Sequence, residues 1–140
     1  MFFPPTIRPD PSSYFIPLEG YSYRLRSIES WQIPFCIVSV SRYSINEVLH
    51  DLIGTLPQEL CVTIEQYPNR PDAEPIHSFE SEEVPNYVLV DAIDAHREII
   101  FNCACTGLVI SHIDALQQIQ VTPEKEIHIY AEDFDGFEEV

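Results

Sequence analysis

The fold is decided by residues 35–67, which read FCIVSVSRYSINEVLHDLIGTLPQELCVTIEQY. The run at 35–40 is short and nearly all apolar, which is typical of a strand covered on both faces. Between 44 and 54 the apolar residues recur with helical spacing, so they fall on one face of a helix. Residues 60–67 are again rich in strand-forming side chains. The stretch therefore predicts a strand–helix–strand unit, with a connection long enough for a right-handed parallel crossover.

Local signals mark both ends of the predicted helix. Ser44 and Glu47 stand three residues apart, as in a capping box, where each side chain accepts a hydrogen bond from the other residue's backbone N–H. Gly54 suits the left-handed conformation that ends many helices. Pro57 then prevents the helix from continuing. We therefore expect the helix to run from Ser44 to Gly54.

Weaker patterns flank this unit. Residues 21–28 and 126–130 alternate between apolar and polar side chains, which predicts strands, and 99–101 is a third candidate strand. Residues 111–120 have apolar positions at helical spacing, and we favour a short helix over a strand within 78–94. The sequence thus predicts an α/β or α+β fold, with a mixed sheet of about four to six strands and two or three helices.

Three segments are expected along the chain. Residues 1–17 form a proline-rich arm, because proline fixes φ and removes a backbone donor. Residues 18–131 form a single α/β domain, as the length allows. Residues 132–140 form an acidic tail, and its two phenylalanines, Phe134 and Phe137, are expected to dock back onto the domain because solvated tails rarely carry such rings.

The overall charge excludes one large class of function. The chain has 140 residues, with 7 Lys and Arg against 23 Asp and Glu, for a formal net charge of −16 at pH 7. Binding to a phosphate backbone needs clustered basic residues, so we expect no nucleic-acid partner. With 45% hydrophobic residues, the chain is also too apolar to be wholly disordered.

The sequence has neither of the two common membrane-targeting patterns. No apolar run reaches the roughly 18 residues of a transmembrane helix, so we expect no membrane partner. Residues 1–5, Met-Phe-Phe-Pro-Pro, lack the basic start and long apolar stretch of a secretory signal. We therefore expect a cytoplasmic protein whose four cysteines stay reduced.

Motifs of catalysis are missing from the sequence. Its four glycines are too scattered for a phosphate-cradling loop or a dinucleotide fingerprint. There is no Gly-x-Ser-x-Gly nucleophile elbow, and Lys125 is the single lysine. We therefore expect no catalytic residue, no cofactor and no enzymatic activity.

The pair Cys103-x-Cys105 is the stretch that most suggests chemistry. Together with His112 it makes an alternative thiol or metal site, since thiolates and imidazoles bind soft metals. Zinc sites, however, usually place cysteines two to four residues apart and need four ligands. Positions 103 and 105 would share one side of a strand, which suits two small structural side chains. We expect no metal and keep this site as the alternative.

Acidic residues are the distinctive feature of the sequence. Eight lie in 72–98, opposed by Arg97 alone, and seven lie in 124–140, opposed by Lys125 alone. They suit a solubilising surface, a docking face for a basic partner or, at 133–138, part of a calcium loop without its full spacing. The residues predicted to form the docking face are Asp72, Glu74, Glu80, Glu82, Glu83, Asp91, Asp94, Asp133, Asp135, Phe134 and Phe137.

These observations favour a binding function. We expect a small acidic cytoplasmic module that docks a basic protein, as an immunity or inhibitor protein does. In size and charge the chain resembles immunity proteins that neutralise basic nuclease toxins, and acidic mimics of nucleic acid; the resemblance lies in composition and covers no motif. The alternatives are the thiol or metal domain built on Cys103, Cys105 and His112, and a self-associating structural protein that forms a homo-oligomer.

Overall fold

The computed structural model describes residues 20–68, 75–112, 114–138 and 140. The predicted arm at 1–17 lies outside the described residues. The strands are β1 (Gly20–Ile28), β2 (Trp31–Ser39), β3 (Glu59–Gln66), β4 (His77–Glu80), β5 (Val84–Pro85), β6 (Thr106–His112), β7 (Gln117–Val121) and β8 (Ile127–Tyr130). The helices are α1 (Ile45–Thr55), α2 (Asn86–Ala95), α3 (Arg97–Asn102) and the single turn α4 (Asp135–Glu138).

The described strands form one open sheet in the order β1-β2-β8-β7-β6-β3-β4, and β5 pairs with β3 beyond the end of β4. Every pairing is antiparallel. The α+β class is confirmed, but the sheet has eight strands rather than four to six, and it is not mixed. The extra strands come from hairpins, which need only short turns between antiparallel neighbours.

The strand–helix–strand unit exists as β2, α1 and β3. Because the pairings alternate in direction across the sheet, β2 and β3 run parallel, as predicted. They are not neighbours, however, since β8, β7 and β6 lie between them. Helix α1 therefore crosses three strands, and the central positions are filled by residues that come later in the chain.

Two of the weaker predictions were wrong. The helix expected at 111–120 is the end of β6, a turn and β7, in which Ile119 pairs with Ile110 and both side chains are fully buried. The strand expected at 99–101 lies within α3, which buries Ile100 and Phe101 and leaves Ile99 exposed. In both stretches tertiary burial, rather than the local spacing, decides which element forms.

The ends of α1 also differ from the prediction. Ser44 is the N-cap residue, but its side chain makes no capping hydrogen bond, and its hydroxyl instead lies 3.2 Å from that of Ser41. Gly54 is helical, and the helix ends where the N–H of Leu56 donates to the carbonyl of Ile53. The predicted apolar face of the helix is buried, so burial rather than the caps holds α1 in place.

The helices cover one face of the sheet. Their apolar side chains meet a row of cross-strand neighbours on that face, Val62, Ile110, Ile119, Ile129 and Cys36. No described helix covers the other face, which we call the open face, and it carries more polar neighbours, Cys61, Ser111, Gln118, Tyr130 and Phe35. None of the described helices is long and apolar enough to cross a membrane.

The C-terminal residues pack onto the same core. Phe137 of α4 is buried, and Phe134 packs against the core with its ring 5.3 Å from that of Tyr23 on β1. Beside them a mainly apolar cavity of about 370 Å³ lies between β1, β2 and α1. The two rings of the acidic tail thus dock on the domain, as expected from their presence among the acids.

Candidate functional site

Strand β4 lies at one end of the sheet, and no described strand pairs with its outer side. All four of its residues are exposed. Phe79 pairs with Ile64 of β3 on the helix-bearing face of the sheet, yet the two side chains are 61% and 41% exposed. An apolar cross-strand pair therefore stands in solvent at an unpaired sheet edge.

Carboxylates follow this pair along the edge. The N–H of Ser81 donates to the carbonyl of Val62, and the N–H of Val62 donates to the hydroxyl of Ser81. Pairing with β3 resumes only at Val84, so Glu82 and Glu83 lie in an interruption between β4 and β5. Interruptions of this kind re-aim the side chains of an edge strand.

Helix α2 follows this edge in the chain and supplies the next exposed residues. It begins directly after β5, and its Tyr87 and Asp91 are exposed and four residues apart, so they share one helix face. We call this surface the acidic edge, and its residues are Ile64, Phe79, Glu80, Glu82, Glu83, Tyr87 and Asp91. Among the described residues, none of its four carboxylates makes an ion pair.

Asp94 was predicted for the docking face but has a structural contact. Its Oδ1 accepts a hydrogen bond of 3.0 Å from Nδ2 of Asn46 and lies 3.2 Å from Nε2 of His50. Both partners belong to α1, so this carboxylate links α1 to α2. Asp94 and Asp91, which lies one turn earlier, are both exposed, and Asp94 differs in making these contacts with α1.

The remaining predicted residues do not join the acidic edge. Asp133, Phe134 and Phe137 lie in the C-terminal segment, which packs by β1 at the opposite end of the sheet. Asp72, Glu74 and the side chain of Asp135 lie outside the described residues. The structure thus separates the predicted docking face into an edge group and a tail group.

The apolar members of the acidic edge were missed by sequence reasoning. Ile64 lies in a strand that was predicted. Its exposure follows from the short length of the neighbouring strand β4, which was not predicted. Phe79 between Ser78 and Glu80 gives one alternating step, which was the available signal.

A second cluster forms around the turn that joins β7 and β8. The N–H of Lys125 donates to the carbonyl of Thr122, and the N–H of Thr122 donates to the carbonyl of Glu126. Pro123 occupies the position at which its fixed φ suits a type I turn. Lys125 adopts φ 67°, in the left-handed region usually taken by glycine in such loops. The single lysine is thus held at a position that costs it about 1 kcal/mol.

The side chain of Lys125 points into the protein. Lys125 is only 4% exposed, and its Nζ donates a 2.7 Å hydrogen bond to the carbonyl oxygen of Thr106. Burial lowers the pKa of Lys125 to about 8, although the nearby Cys103 and Glu124 act in the opposite direction. The sequence offered no signal for this burial beyond the rarity of lysine.

Cys103 lies next to this ammonium group. The nearby Thr106 hydroxyl is the main cause that lowers the pKa of the Cys103 thiol, followed by the backbone N–H of Cys105. Burial opposes this shift, and the charge of Lys125 contributes to it. The Thr106 hydroxyl is buried and has no hydrogen-bond partner among the described residues. We call Cys103, Cys105, Thr106 and Lys125 the thiol cluster.

His112 does not belong to this cluster. It ends β6, whereas the cysteines lie at the start of that strand, roughly 20 Å away along β6. Its Nδ1 accepts a hydrogen bond from the N–H of Ala115. The described residues contain no group of three or more His, Cys, Asp or Glu that could hold a metal ion. The structure therefore brings the two cysteines together and separates them from the histidine.

The open face of the sheet carries a third group of polar and aromatic side chains. The Phe35 ring stacks on that of Tyr130 at 5.2 Å, and the guanidinium of Arg26 donates to the Tyr130 hydroxyl. A 3.1 Å hydrogen bond with His128 is the main cause that lowers the pKa of Glu126. These side chains thus find their hydrogen-bond and stacking partners within the open face itself.

Comparisons with known proteins identify no relative. No protein family matches the sequence, and neither the search of curated proteins nor the search of solved structures gives a match.

Proposed function

We propose that this chain is a protein-binding module that docks a basic partner protein on its acidic edge and acts as an inhibitor of the immunity-protein kind. The observation that carries the proposal is the exposed pair of Ile64 and Phe79 on the unpaired edge strand β4, bordered by carboxylates.

Geometry favours docking by strand addition. The outer side of β4 presents backbone N–H and C=O groups that no described strand uses, and an extended segment of a partner can pair with them. Phe79 then supplies the apolar anchor, since exposed aromatic side chains dominate the energetics of many interfaces. Tyr87 on α2 provides a second ring on the same surface.

Charge selects the partner. The carboxylates of Glu80, Glu82 and Glu83 are exposed and have no cation beside them among the described residues. Such a rim attracts a basic segment during encounter and disfavours an acidic one. The partner is therefore expected to present an extended segment with Lys or Arg flanking an apolar position.

The same acids have a simpler explanation, which the apolar pair argues against. Charged residues, short length and interruptions all protect sheet edges from unwanted pairing, and β4 has all three. Protection of this kind gains nothing from exposing Phe79 and Ile64, because apolar side chains at an edge promote association. A docking surface requires both features.

The setting proposed for this interaction is the cytoplasm. All four cysteines lie in the described part of the chain, and none is in a disulfide. Reduced cysteines are the usual state in a reducing compartment. Fractionation of the native cell tests this assignment directly.

The first experiment places a photo-crosslinking phenylalanine at position 79 in the full chain, expressed in its native cell. The matched control carries the same group at Leu116, which is equally exposed at 60% but lies in the turn between β6 and β7. We expect position 79 alone to capture one protein, with basic residues at the linked segment. Equal capture from both positions, or capture of an acidic protein, contradicts the proposal.

The second experiment measures association with the captured protein at rising salt. The double variant Glu82→Lys with Glu83→Lys should slow association by roughly ten-fold or more, and salt should reduce the difference. A control with the same change in net charge is Glu47→Lys with Asp51→Lys, two exposed acids of α1. Equal slowing by both double variants means that net charge alone acts, and rejects the acidic edge.

Self-association is distinguished in the same experiment. Strand β1 at the other end of the sheet carries Arg24 and Arg26, so the acidic edge of one copy could meet β1 of another. A cross-link from position 79 to a second copy of this chain would support the self-associating alternative and overturn the proposed heterologous partner.

A further inference from the structure

The thiol cluster places two cysteines in one tight turn. The N–H of Thr106 donates to the carbonyl of Cys103, which closes the turn around Ala104 and Cys105. The N–H of Tyr67 donates to the carbonyl of Cys105 at 2.7 Å and ties the turn to the end of β3.

We propose that Cys103 and Cys105 form a thiol–disulfide exchange site that takes a small-molecule disulfide as its substrate. This activity is separate from the proposed docking function and uses none of the residues of the acidic edge.

Cys103 is the attacking thiol because Thr106 brings two donors to its turn. The N–H of Thr106 closes the turn on the carbonyl of Cys103, its buried hydroxyl has no hydrogen-bond partner among the described residues, and its carbonyl holds the ammonium group of Lys125 at 2.7 Å. The Thr106 hydroxyl, the backbone N–H of Cys105 and the charge of Lys125 lower the pKa of the Cys103 thiol, and burial opposes them. These three groups stabilise a thiolate, which is the reactive form in disulfide exchange. The Thr106 hydroxyl can donate to such a thiolate, since it is buried and has no hydrogen-bond partner among the described residues.

Cys105 is the resolving thiol because it lies two residues from Cys103 in the same hydrogen-bonded turn. Two residues of extended backbone would span about 7 Å between Cα atoms, and the turn shortens that span toward the roughly 4.4–6.8 Å that a disulfide needs. A bond between positions 103 and 105 thus requires adjustment within one turn and no movement of the strands.

The reaction balances without another reagent. The Cys103 thiolate attacks one sulfur of the substrate disulfide, forms a mixed disulfide and expels the first product thiolate, which takes up the proton that Cys103 lost. Cys105 then gives its proton to solvent and its sulfur attacks that of Cys103, which expels the second product thiolate. The two protein thiols are oxidised by two electrons, and one disulfide is reduced to two thiols.

Access to the turn sets the class of substrate. Cys103 and Cys105 are half-buried, and the exposed Ala104 lies in an open groove with Tyr67, Pro68 and Glu124. A recessed sulfur suits a small disulfide better than a disulfide within a folded protein. Glu124 and the net charge of −16 favour a substrate with positive charge.

The test uses the full chain and cystamine, a small dicationic disulfide. Timed samples are quenched with acid, and the cysteine modified at each time is located by peptide mass spectrometry. We expect Cys103 to react at least roughly ten-fold faster than Cys61 at pH 7. Cys61 is the matched control, since it is also half-buried and lies on the open face of the sheet. Reaction of Cys103 no faster than Cys61 overturns the proposal.

Two variants separate the roles of the cysteines. The wild-type chain should lose two hydrogens and keep no adduct, whereas Cys105→Ser should keep one cysteamine on Cys103. In Cys103→Ser the rapid phase should vanish. A wild-type chain that retains the adduct, as Cys105→Ser does, overturns the resolving step. The docking experiment at position 79 is unaffected by either result.

Lys125 acts as a positioning residue, and its test is a pH profile. In Lys125→Met the pH at which the Cys103 reaction reaches half of its maximum rate should move upward, while Lys125→Arg should keep more of the wild-type profile. A lysine with a merely structural role would change the amount of folded protein and leave this midpoint in place.

Discussion

The ammonium group of Lys125 and the backbone carbonyl of Thr106 are joined by a 2.7 Å hydrogen bond. This bond ties the β7–β8 turn to the first residue of β6, on the far side of β7 in the sheet order. It satisfies a carbonyl at a buried residue, but it also removes a positive charge from water. The balance between the two effects depends on pH, because burial lowers the pKa of Lys125 to about 8.

The first prediction concerns stability in alkaline solution. Below about pH 8 Lys125 is protonated in both the folded and the unfolded chain, and folding bears the full cost of burying its charge. From about pH 8 to the ordinary lysine pKa of 10.5 the folded chain loses this proton while the unfolded chain keeps it. The free energy of unfolding should therefore rise by up to roughly 3 kcal/mol over this range.

The measurement is urea unfolding of wild type and Lys125→Met at several pH values. The difference between the two curves should shift in favour of the wild type between pH 8 and 10.5. Because the pKa of the Cys103 thiol is lowered, its own titration also raises stability up to the ordinary thiol pKa of 9.0, so both chains are compared in a Cys103→Ser background. Parallel curves would contradict a depressed lysine pKa.

The second prediction concerns Tyr67 at the end of β3. Burial, and then the hydrogen bond that its hydroxyl donates to Oε2 of Glu65 at 2.7 Å, raise the pKa of Tyr67 to about 12. In Glu65→Gln the charge is lost while burial stays, so the pKa should fall only part of the way toward 10.0. Carbon-13 NMR of labelled tyrosine follows the titration, with Tyr67→Phe to assign the signal.

At pH 11 the wild-type signal of Tyr67 should still be mainly that of the phenol, whereas in the urea-unfolded chain it should be mainly that of the phenolate. Since the unfolded chain loses this proton near pH 10 and the folded chain keeps it, the contribution of Tyr67 to stability falls as pH rises from 10 to 12. A fully ionised Tyr67 at pH 11 would show that its hydroxyl is exposed.

Local pattern predicted those elements in which burial and periodicity agree. Residues 45–55 repeat their apolar side chains at helical spacing and bury that face, so α1 was recognised. Residues 117–121 bury alternate side chains, as a strand does. The helical spacing in this stretch included Leu116, which does not belong to the core because it lies exposed in the turn at φ 48°. A residue at a turn cannot be distinguished from a core residue by spacing alone.

The strand order and the two candidate sites could not be predicted from the sequence, for a related reason. The pairing that places β8, β7 and β6 between β2 and β3 joins residues far apart in the chain. The acidic edge depends on the register of Ile64 with Phe79, and the thiol cluster depends on the hydrogen bond of Lys125 to Thr106. The acids and the Cys103-x-Cys105 pair were recognised, but their neighbours follow only from the folded sheet.

The third prediction concerns the acidic tail. Phe137 is 8% exposed within the core, so Phe137→Ala should lower the free energy of unfolding by about 3 kcal/mol. Glu132→Ala changes an exposed residue of the same segment and should stay within about 0.5 kcal/mol. Urea unfolding measures both. An equal loss of unfolding free energy in the two variants would mean that the Phe137 side chain does not stabilise the core.

The fourth prediction distinguishes two acids of α2 that the sequence treated alike. Asp94 accepts a hydrogen bond from Asn46 and lies 3.2 Å from Nε2 of His50, whereas Asp91 is exposed on the acidic edge. Asp94→Ala removes the link between α1 and α2 and should cost about 1 kcal/mol of stability. Asp91→Ala should cost less than about 0.5 kcal/mol, because it removes no contact within the described protein.

The effects of the two substitutions on the rate of association should rank in the opposite order. Asp91 belongs to the surface that attracts a basic partner, so Asp91→Ala should slow association with the protein captured at position 79, and Asp94→Ala should leave that rate nearly unchanged. Urea unfolding and stopped-flow association, measured on the same two variants, check both halves. If Asp94→Ala slowed association as much as Asp91→Ala did while both chains stayed folded, the docking face would extend from the edge onto the α1–α2 contact, and the boundary of the acidic edge drawn at Asp91 would be wrong.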